Sequence, residues 1–260
     1  MVNLPRSVTL AACFSAALGF AQTGIPSNSM VDGNRAAQVE APKTPLSAEN
    51  RGDILMARKM YREAIEAFSQ GSPKDAVLRN KLGIAHHQLM QLDAARKYYE
   101  QAVKLKPDYS EAINNLGTVY YAGKSYRRAI SQYKKAIKIA PDSASIHSNL
   151  GTAYYARDQI ALANEEYRIA MKLDPDVFER HSSYGVLLQE RSVADRAKFH
   201  YMMAAIYAQD GRTDLALQYL RKALEEGYKE RKKLPDDPAF AALRDLPEFK
   251  ELLALEPRVL

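Results

Sequence analysis

Histidine and cysteine are the side chains of this 260-residue chain that are best suited to metal ligation or nucleophilic catalysis. The chain has five histidines, of which His86 and His87 are adjacent while His147 and His181 lie 34 residues apart. Packed or surface histidines are the ordinary interpretation of such a set. The sequence also lacks HExxH, GxSxG and a phosphate-binding glycine loop. It therefore predicts no catalytic, cofactor or metal site, and a protein that is not an enzyme.

Polar side chains recur instead at spacings that suit hydrogen bonding to a polypeptide. Asn114, Thr118 and Tyr121 are separated by four and three residues, which places them on one face of a helix. Asparagine offers a donor and an acceptor to a peptide backbone, and tyrosine offers flat apolar area with a polar tip. Asn115 and Asn149 are expected to be solvated and to bind the partner's backbone. The predicted partner-binding residues are Asn80, His87, Asn114, Asn115, Thr118, Tyr121, Ser148, Asn149, Thr152 and Tyr155.

These polar sets belong to a period of 34 residues that fills the middle of the chain. Small, aromatic and proline residues return in phase in three consecutive segments: Gly83, Gly117 and Gly151; Ala95, Ala129 and Ala163; Tyr99, Tyr133 and Tyr167; Pro107, Pro141 and Pro175. Each period holds two stripes of helical spacing with a turn between them. Gly117 and Ala129 are predicted to lie where two helices approach closely, with Tyr133 filling the space beside them.

The pattern resembles the tetratricopeptide repeat (TPR), a helix-turn-helix unit that stacks into a solenoid. The resemblance covers about residues 45–230 and implies an all-α fold, a right-handed α-α superhelix. The implied repeats lie near 45–75, 76–109, 110–143, 144–177, 178–196 (partial) and 197–230. In such an array the first helix of each repeat lines a concave wall, where the polar residues named above would lie. The chain departs from the family pattern because it has no Trp, and because Asn and Ser occupy the positions of the family's cationic clamp for C-terminal carboxylates.

The helix register is ambiguous between Phe178 and Gly211. The segment 194–209 fits either the second helix of the fifth repeat or the first helix of the next one. We prefer the second register, because Gly211 then supplies the turn and Tyr207 and Ala216 take helix-contact positions. The segment 231–260 is predicted to cap the last repeat, since a solenoid would otherwise expose its final apolar face.

A cluster of cations lies on the predicted second helix of the central repeat. No acid occurs between Glu111 and Asp142, and the cations there are Lys124, Arg127, Arg128, Lys134, Lys135 and Lys138. On the convex side these could bind an anionic envelope polymer or lipid, although a solvated face is the ordinary interpretation. The net charge of +6 permits such contact without requiring it, and nucleic acid is not an expected partner.

The N-terminus has the pattern of an export signal. Arg6 precedes an uncharged, mostly apolar segment, 8–20, and Ala21 ends a small-residue cleavage pattern. We predict a signal peptide at 1–21 and a disordered linker at 22–44, hence an exported, periplasmic or secreted protein of bacterial type. An alternative remains, because residues 10–13 resemble a lipobox that would anchor the protein to a membrane through Cys13. Cys13 is the only cysteine, so a mature chain cut after Ala21 would have no disulfide.

These features together predict a non-catalytic TPR scaffold that binds a peptide or protein partner on its concave face. The predicted setting is envelope assembly or secretion, and no cofactor is expected. The alternative is a basic adaptor that binds an anionic envelope polymer or lipid surface through its convex face.

Overall fold

The computed structural model describes residues 45–178 and 193–254, and every regular element within them is a helix. The predicted signal peptide and linker, Cys13, His181 and most of the partial repeat at 178–196 lie outside the described residues. The all-α fold predicted from the sequence is confirmed.

Helices pair consecutively along the chain. The first four pairs are α1 (Ala48–Ala57) with α2 (Tyr61–Ser69), α3 (Ala76–Gln88) with α4 (Leu92–Leu105), α5 (Ser110–Ala122) with α6 (Tyr126–Ile139), and α7 (Ala144–Tyr155) with α8 (Ile160–Leu173). The second helix of each pair packs on the first helix of the next, α2 on α3, α4 on α5 and α6 on α7. The pairs therefore stack as a solenoid, in which α1, α3, α5 and α7 are the first helices.

The two helices of a pair meet where a glycine faces a tyrosine ring. A Cβ atom added to Gly117 would lie 2.6 Å from Cε1 of Tyr133, and Gly83 and Gly151 face their own tyrosines in the same way. Tyr133 and Ala129 are completely buried. The predicted contact of small against large residues is confirmed, and the absent side chain is what allows the ring to lie on the helix backbone.

Each turn between paired helices contains one residue in the left-handed region of backbone conformation. Lys59, Met90, Lys124 and Asp158 have φ angles of 57–59°, and among the described turns between paired helices only the last uses glycine, Gly211, at φ 74°. The left-handed conformation brings the Cβ of an L-residue close to a carbonyl oxygen, at a cost of about 1 to 2 kcal/mol. Four turns of the array are therefore strained.

Met90→Gly should raise the free energy of unfolding by about 0.5 to 1 kcal/mol, because relief of that strain exceeds the entropy glycine loses on folding. Met90 is 65% exposed, so little packing is lost. Chemical denaturation measures the change. The control is Lys97→Gly, at an exposed position within α4, which should destabilise by about 1 kcal/mol. A loss of stability in Met90→Gly would contradict the assignment of strain.

The last helix pair consists of α9 (Val193–Gln209) and α10 (Thr213–Glu225), which follows the second of the two registers. Two 3-10 helices (Arg231–Asp236 and Pro238–Leu243) and α11 (Pro247–Ala254) follow; the second 3-10 helix contacts α9, and α11 contacts α10. Their buried side chains, Leu234, Phe240, Leu243, Phe249 and Leu252, join the same hydrophobic cluster as those two helices. No helix within the described ranges is both long and apolar enough to cross a membrane.

Candidate functional site

Hydrogen bonds and ion pairs join the first helices side by side, through the fifth and sixth positions of successive repeats. Asn115 Nδ2 donates to Asn80 Oδ1 at 3.0 Å, and Asn149 Nδ2 donates to Asn114 Oδ1 at 3.0 Å. At the same two positions of the α1–α3 junction, the Nζ of Lys81 lies 2.8 Å from a carboxylate oxygen of Glu49. We call these three contacts the cross-helix row. In each of them the sixth position of one repeat donates to the fifth position of the preceding repeat.

The asparagines of this row are buried. Their exposed fractions lie between 1% and 5%, and the amide of Asn80 also donates to Oε1 of Glu111 at 3.0 Å. The prediction that Asn115 and Asn149 are solvated is therefore wrong. Neighbouring first helices lie close enough for each sixth-position amide to reach the fifth-position amide of the preceding helix, which removes both from water.

The threonines of the predicted wall also make hydrogen bonds inside the protein, in this case within one repeat. Thr118 Oγ1 donates to the Asn114 carbonyl at 3.2 Å and accepts from the Tyr133 hydroxyl at 3.3 Å. Burial raises the pKa of Tyr133, so its hydroxyl remains a donor at neutral pH. Thr152 makes the equivalent bonds at 2.9 Å and 3.1 Å, to the Ser148 carbonyl and from Tyr167. In these two repeats the hydroxyls hold the second helix on the first.

Four of the ten predicted residues are half-buried, His87, Thr118, Tyr121 and Ser148, and the hydroxyl of Thr118 is engaged in the bonds described above. Burial lowers the pKa of His87, so the imidazole is neutral at pH 7. The ring of Tyr121 lies 5.2 Å from that of Tyr126. Tyr155, by contrast, is 3% exposed and donates its hydroxyl to the Asp195 carbonyl at 2.8 Å. The partner-binding role of all ten residues stays a prediction.

A cavity of about 640 Å³ lies between α8 and α9, and sequence reasoning missed it. Ile160, Asn164 and Arg168 line it from α8, and Tyr201 and Ala205 are among the residues that line it from α9. In the phase of the last repeat, Tyr201 and Ala205 take the positions that Asn114 and Thr118 hold in the central repeat. The preferred register therefore places both residues on the wall, whereas the predicted partner-binding residues come only from the repeats at 76–109, 110–143 and 144–177.

The α9 side of the cavity is rigid and aromatic. The rings of Tyr201 and Tyr228 stack at 4.4 Å and 10°. The Tyr201 hydroxyl donates to Oδ2 of Asp237. Burial raises the pKa of Tyr201, and it raises that of Tyr228 to about 12. Both phenols are therefore neutral at physiological pH, and Tyr201 is fixed by its donated bond and its stacked neighbour.

Family models describe the same repeats in the sequence. Models of the tetratricopeptide repeat match residues 46–110 and 197–226, and a further model described as TPR repeat matches residues 117–158. This chain is a tetratricopeptide repeat protein. The matched ranges include α1 to α4, α6, α7 and α10, with parts of α5 and α9.

Individual relatives of this TPR protein share only parts of it. Protein CTR9 homolog of Arabidopsis thaliana is 35% identical over 68 residues, which are 26% of this chain and 6% of that protein. The chloroplastic protein PYG7 of Arabidopsis thaliana, a TPR domain-containing protein, is 33% identical over 76 residues, 26% of this chain and 25% of that one. The TPR protein thus spans a quarter or less of these curated relatives.

Two solved structures are similar to parts of this chain. A crystal structure of MamA is 22% identical, with a TM-score of 0.48, and the match covers 70% of this chain and 96% of that one. The first TPR of Spaghetti (RPAP3), bound to an HSP90 peptide, is 21% identical with a TM-score of 0.42, over 43% of this chain and 90% of that one.

The cationic cluster lies on α6 of the TPR array, apart from Lys124 in the preceding turn. At about 100° per residue, its five members fall within an arc of about 120°, opposite the buried stripe that contains Ala129, Tyr133 and Ala136. The five are Arg127, Arg128, Lys134, Lys135 and Lys138, all exposed. Lys134 lies over the ring of Tyr154, and a hydrogen bond to that phenol raises the lysine's pKa. No ion pair within the described ranges involves any of the five.

His147 is a packed histidine within the fourth repeat. Its Nδ1 lies 2.6 Å from Oε2 of Glu166 and its Nε2 lies 2.9 Å from the Pro141 carbonyl, so the ring ties α7 to α8 and to the preceding turn. Among the described residues, no group of three or more potential metal ligands comes together.

Proposed function

We propose that this TPR protein is a non-catalytic scaffold that binds a peptide or protein partner on the wall formed by α3, α5 and α7. The observation that carries the proposal is the cross-helix row, which fixes successive first helices side by side before any partner arrives. A preformed surface loses less conformational entropy on binding than a flexible one. The accessible groups on this wall, His87, Tyr121 and Ser148, offer aromatic area and uncharged hydrogen-bonding atoms.

The proposed setting is the bacterial envelope, in assembly or secretion. The support is the N-terminal pattern, in which a basic start, an apolar segment and small residues before Gln22 are typical of an exported chain. Processing at Cys13 in place of cleavage after Ala21 would tether the same scaffold to a membrane surface.

A second candidate function is adhesion to an anionic envelope polymer or lipid surface through α6. The observation that favours it is the single-signed arc of exposed cations described above, which is free of carboxylate partners within the described part of the chain. Such binding weakens steeply with salt, because it depends on the release of counterions.

His87→Ala together with Tyr121→Ala should weaken partner binding by about 1 to 2 kcal/mol or more, since aromatic contacts at the centre of an interface carry much of its affinity. The partner is a peptide selected from a random display library against the full chain, and calorimetry at two salt concentrations gives its affinity. The matched variant is Lys134→Ala with Lys135→Ala, which should leave this affinity unchanged. If the lysine pair lowers it and the wall pair does not, the basic face is the binding surface.

A further inference from the structure

One buried polar atom lines the cavity between α8 and α9 without a hydrogen bond. It is Oδ1 of Asn164, the only buried side-chain nitrogen or oxygen atom lacking a partner within residues 45–178 and 193–254. Buried amide oxygens in proteins are nearly always paired, because an unpaired one loses its hydration without compensation. The asparagines of the cross-helix row follow this rule, so the exception at Asn164 indicates a donor that lies beyond the described residues, such as one on a bound ligand.

Apolar side chains form part of the lining of the same cavity. Ile160 lies one turn before Asn164 on α8, and Tyr201, Met202 and Ile206 line the cavity from α9. A volume of about 640 Å³ is within the range of pockets that enclose a drug-sized ligand, a size comparable to a short peptide. The cavity therefore combines an apolar part of its lining with one unpaired neutral acceptor.

The charged residues of the lining do not favour an ionic ligand. Three are cations and two are acids: Arg168, Lys198 and Lys229, and Asp195 and Glu230. Lys198 lies 3.8 Å from a carboxylate oxygen of Asp158, and Arg168 donates to Gln209. A ligand that matches both the acceptor and the apolar lining carries an uncharged N–H group beside an apolar side chain, as a peptide backbone does.

We propose that this cavity binds an extended peptide segment, with a backbone N–H donated to Asn164 Oδ1 and an apolar side chain packed against Tyr201 and Met202. The inference rests on the proposed function for the class of partner, and it places a specificity pocket at the C-terminal end of the wall. The aromatic side of this pocket is already held in place by the stacking of Tyr201 on Tyr228.

The test uses two blocked tripeptides, acetyl-Ala-Leu-Ala-amide and the same molecule with each backbone N–H replaced by N–CH₃. The full chain carries ¹³C-labelled methionine methyl groups, and the Met202 resonance is assigned through Met202→Leu. The first tripeptide should shift this resonance in a saturable titration. The methylated tripeptide, which has lost its backbone N–H donors, should bind about three- to tenfold more weakly, the range of one neutral hydrogen bond.

Asn164→Leu should abolish that preference for the unmethylated tripeptide while leaving the melting temperature equal or higher, because it removes an unpaired buried acceptor. The matched control is Asn50→Leu, at an exposed position of α1, which should change neither property. Equal binding of both tripeptides, an unaltered preference in Asn164→Leu, or shifts confined to other methionines would overturn the proposal and leave a water-filled cavity. His87→Ala with Tyr121→Ala should not alter tripeptide binding, so failure at the cavity is distinguishable from failure of the proposed wall.

Discussion

Gly117→Ala will lower the free energy of unfolding by about 1 to 3 kcal/mol, and Gly117→Leu will lower it further. The added Cβ would lie 2.6 Å from Cε1 and 2.8 Å from Cδ1 of Tyr133. The tyrosine is completely buried, so its ring cannot move aside without displacing α6 from α5. For an array of this size, thermal unfolding should shift downward by several degrees, at about 2 to 4 °C for each kcal/mol.

Gly123→Ala is the matched control for this glycine. Gly123 is exposed at the end of the same helix, and an added Cβ there would meet only backbone oxygens, at 3.5 Å and 3.7 Å. Its φ of −78° is one that alanine adopts freely. This variant should melt at the same temperature or slightly higher. If Gly117→Leu and Gly123→Ala melt alike, the close contact between α5 and α6 is not the one assigned.

The contacts that the sequence predicted best are those within one repeat. Gly117, Ala129 and Tyr133 lie within a single 34-residue unit, and the same residue types return in phase before and after it. Such recurrence fixes which faces of two adjacent helices meet, since helical spacing determines the face on which each residue lies. The structure therefore agrees with sequence reasoning at the helix pair.

Contacts between repeats were harder to predict. Whether Asn115 faces solvent or a neighbouring helix depends on how closely the first helices pack. The spacing of residues along one helix does not give the distance between two helices. The left-handed turns are not predicted from the sequence either. Glycine is the residue that usually indicates a positive φ, and these positions hold Met90 and Lys124 instead. The cavity arises at α9, where the regular period breaks, so a pattern followed through the regular repeats does not lead to it.

The cross-helix row changes what a substitution at Asn115 should do. A solvated asparagine on a binding wall would affect only the partner, whereas a buried one that donates to Asn80 holds two repeats together. Loss of its amide leaves Oδ1 of Asn80 without this donor in a buried environment. In a linear array the stability of each repeat depends on its interfaces with its neighbours, so the damage extends beyond the substituted helix.

Asn115→Ala should therefore lower the free energy of unfolding by about 1 to 3 kcal/mol, even in the absence of any partner. Chemical denaturation measures this, with Asn50→Ala as the control at an exposed asparagine that should lose almost nothing. A double-mutant cycle with Asn80→Ala isolates the contact and should give a coupling energy of about 0.5 kcal/mol or more. Additive losses in that cycle, or an Asn115→Ala variant as stable as the parent, would contradict the buried contact and indicate that Asn115 is solvated, as predicted from the sequence.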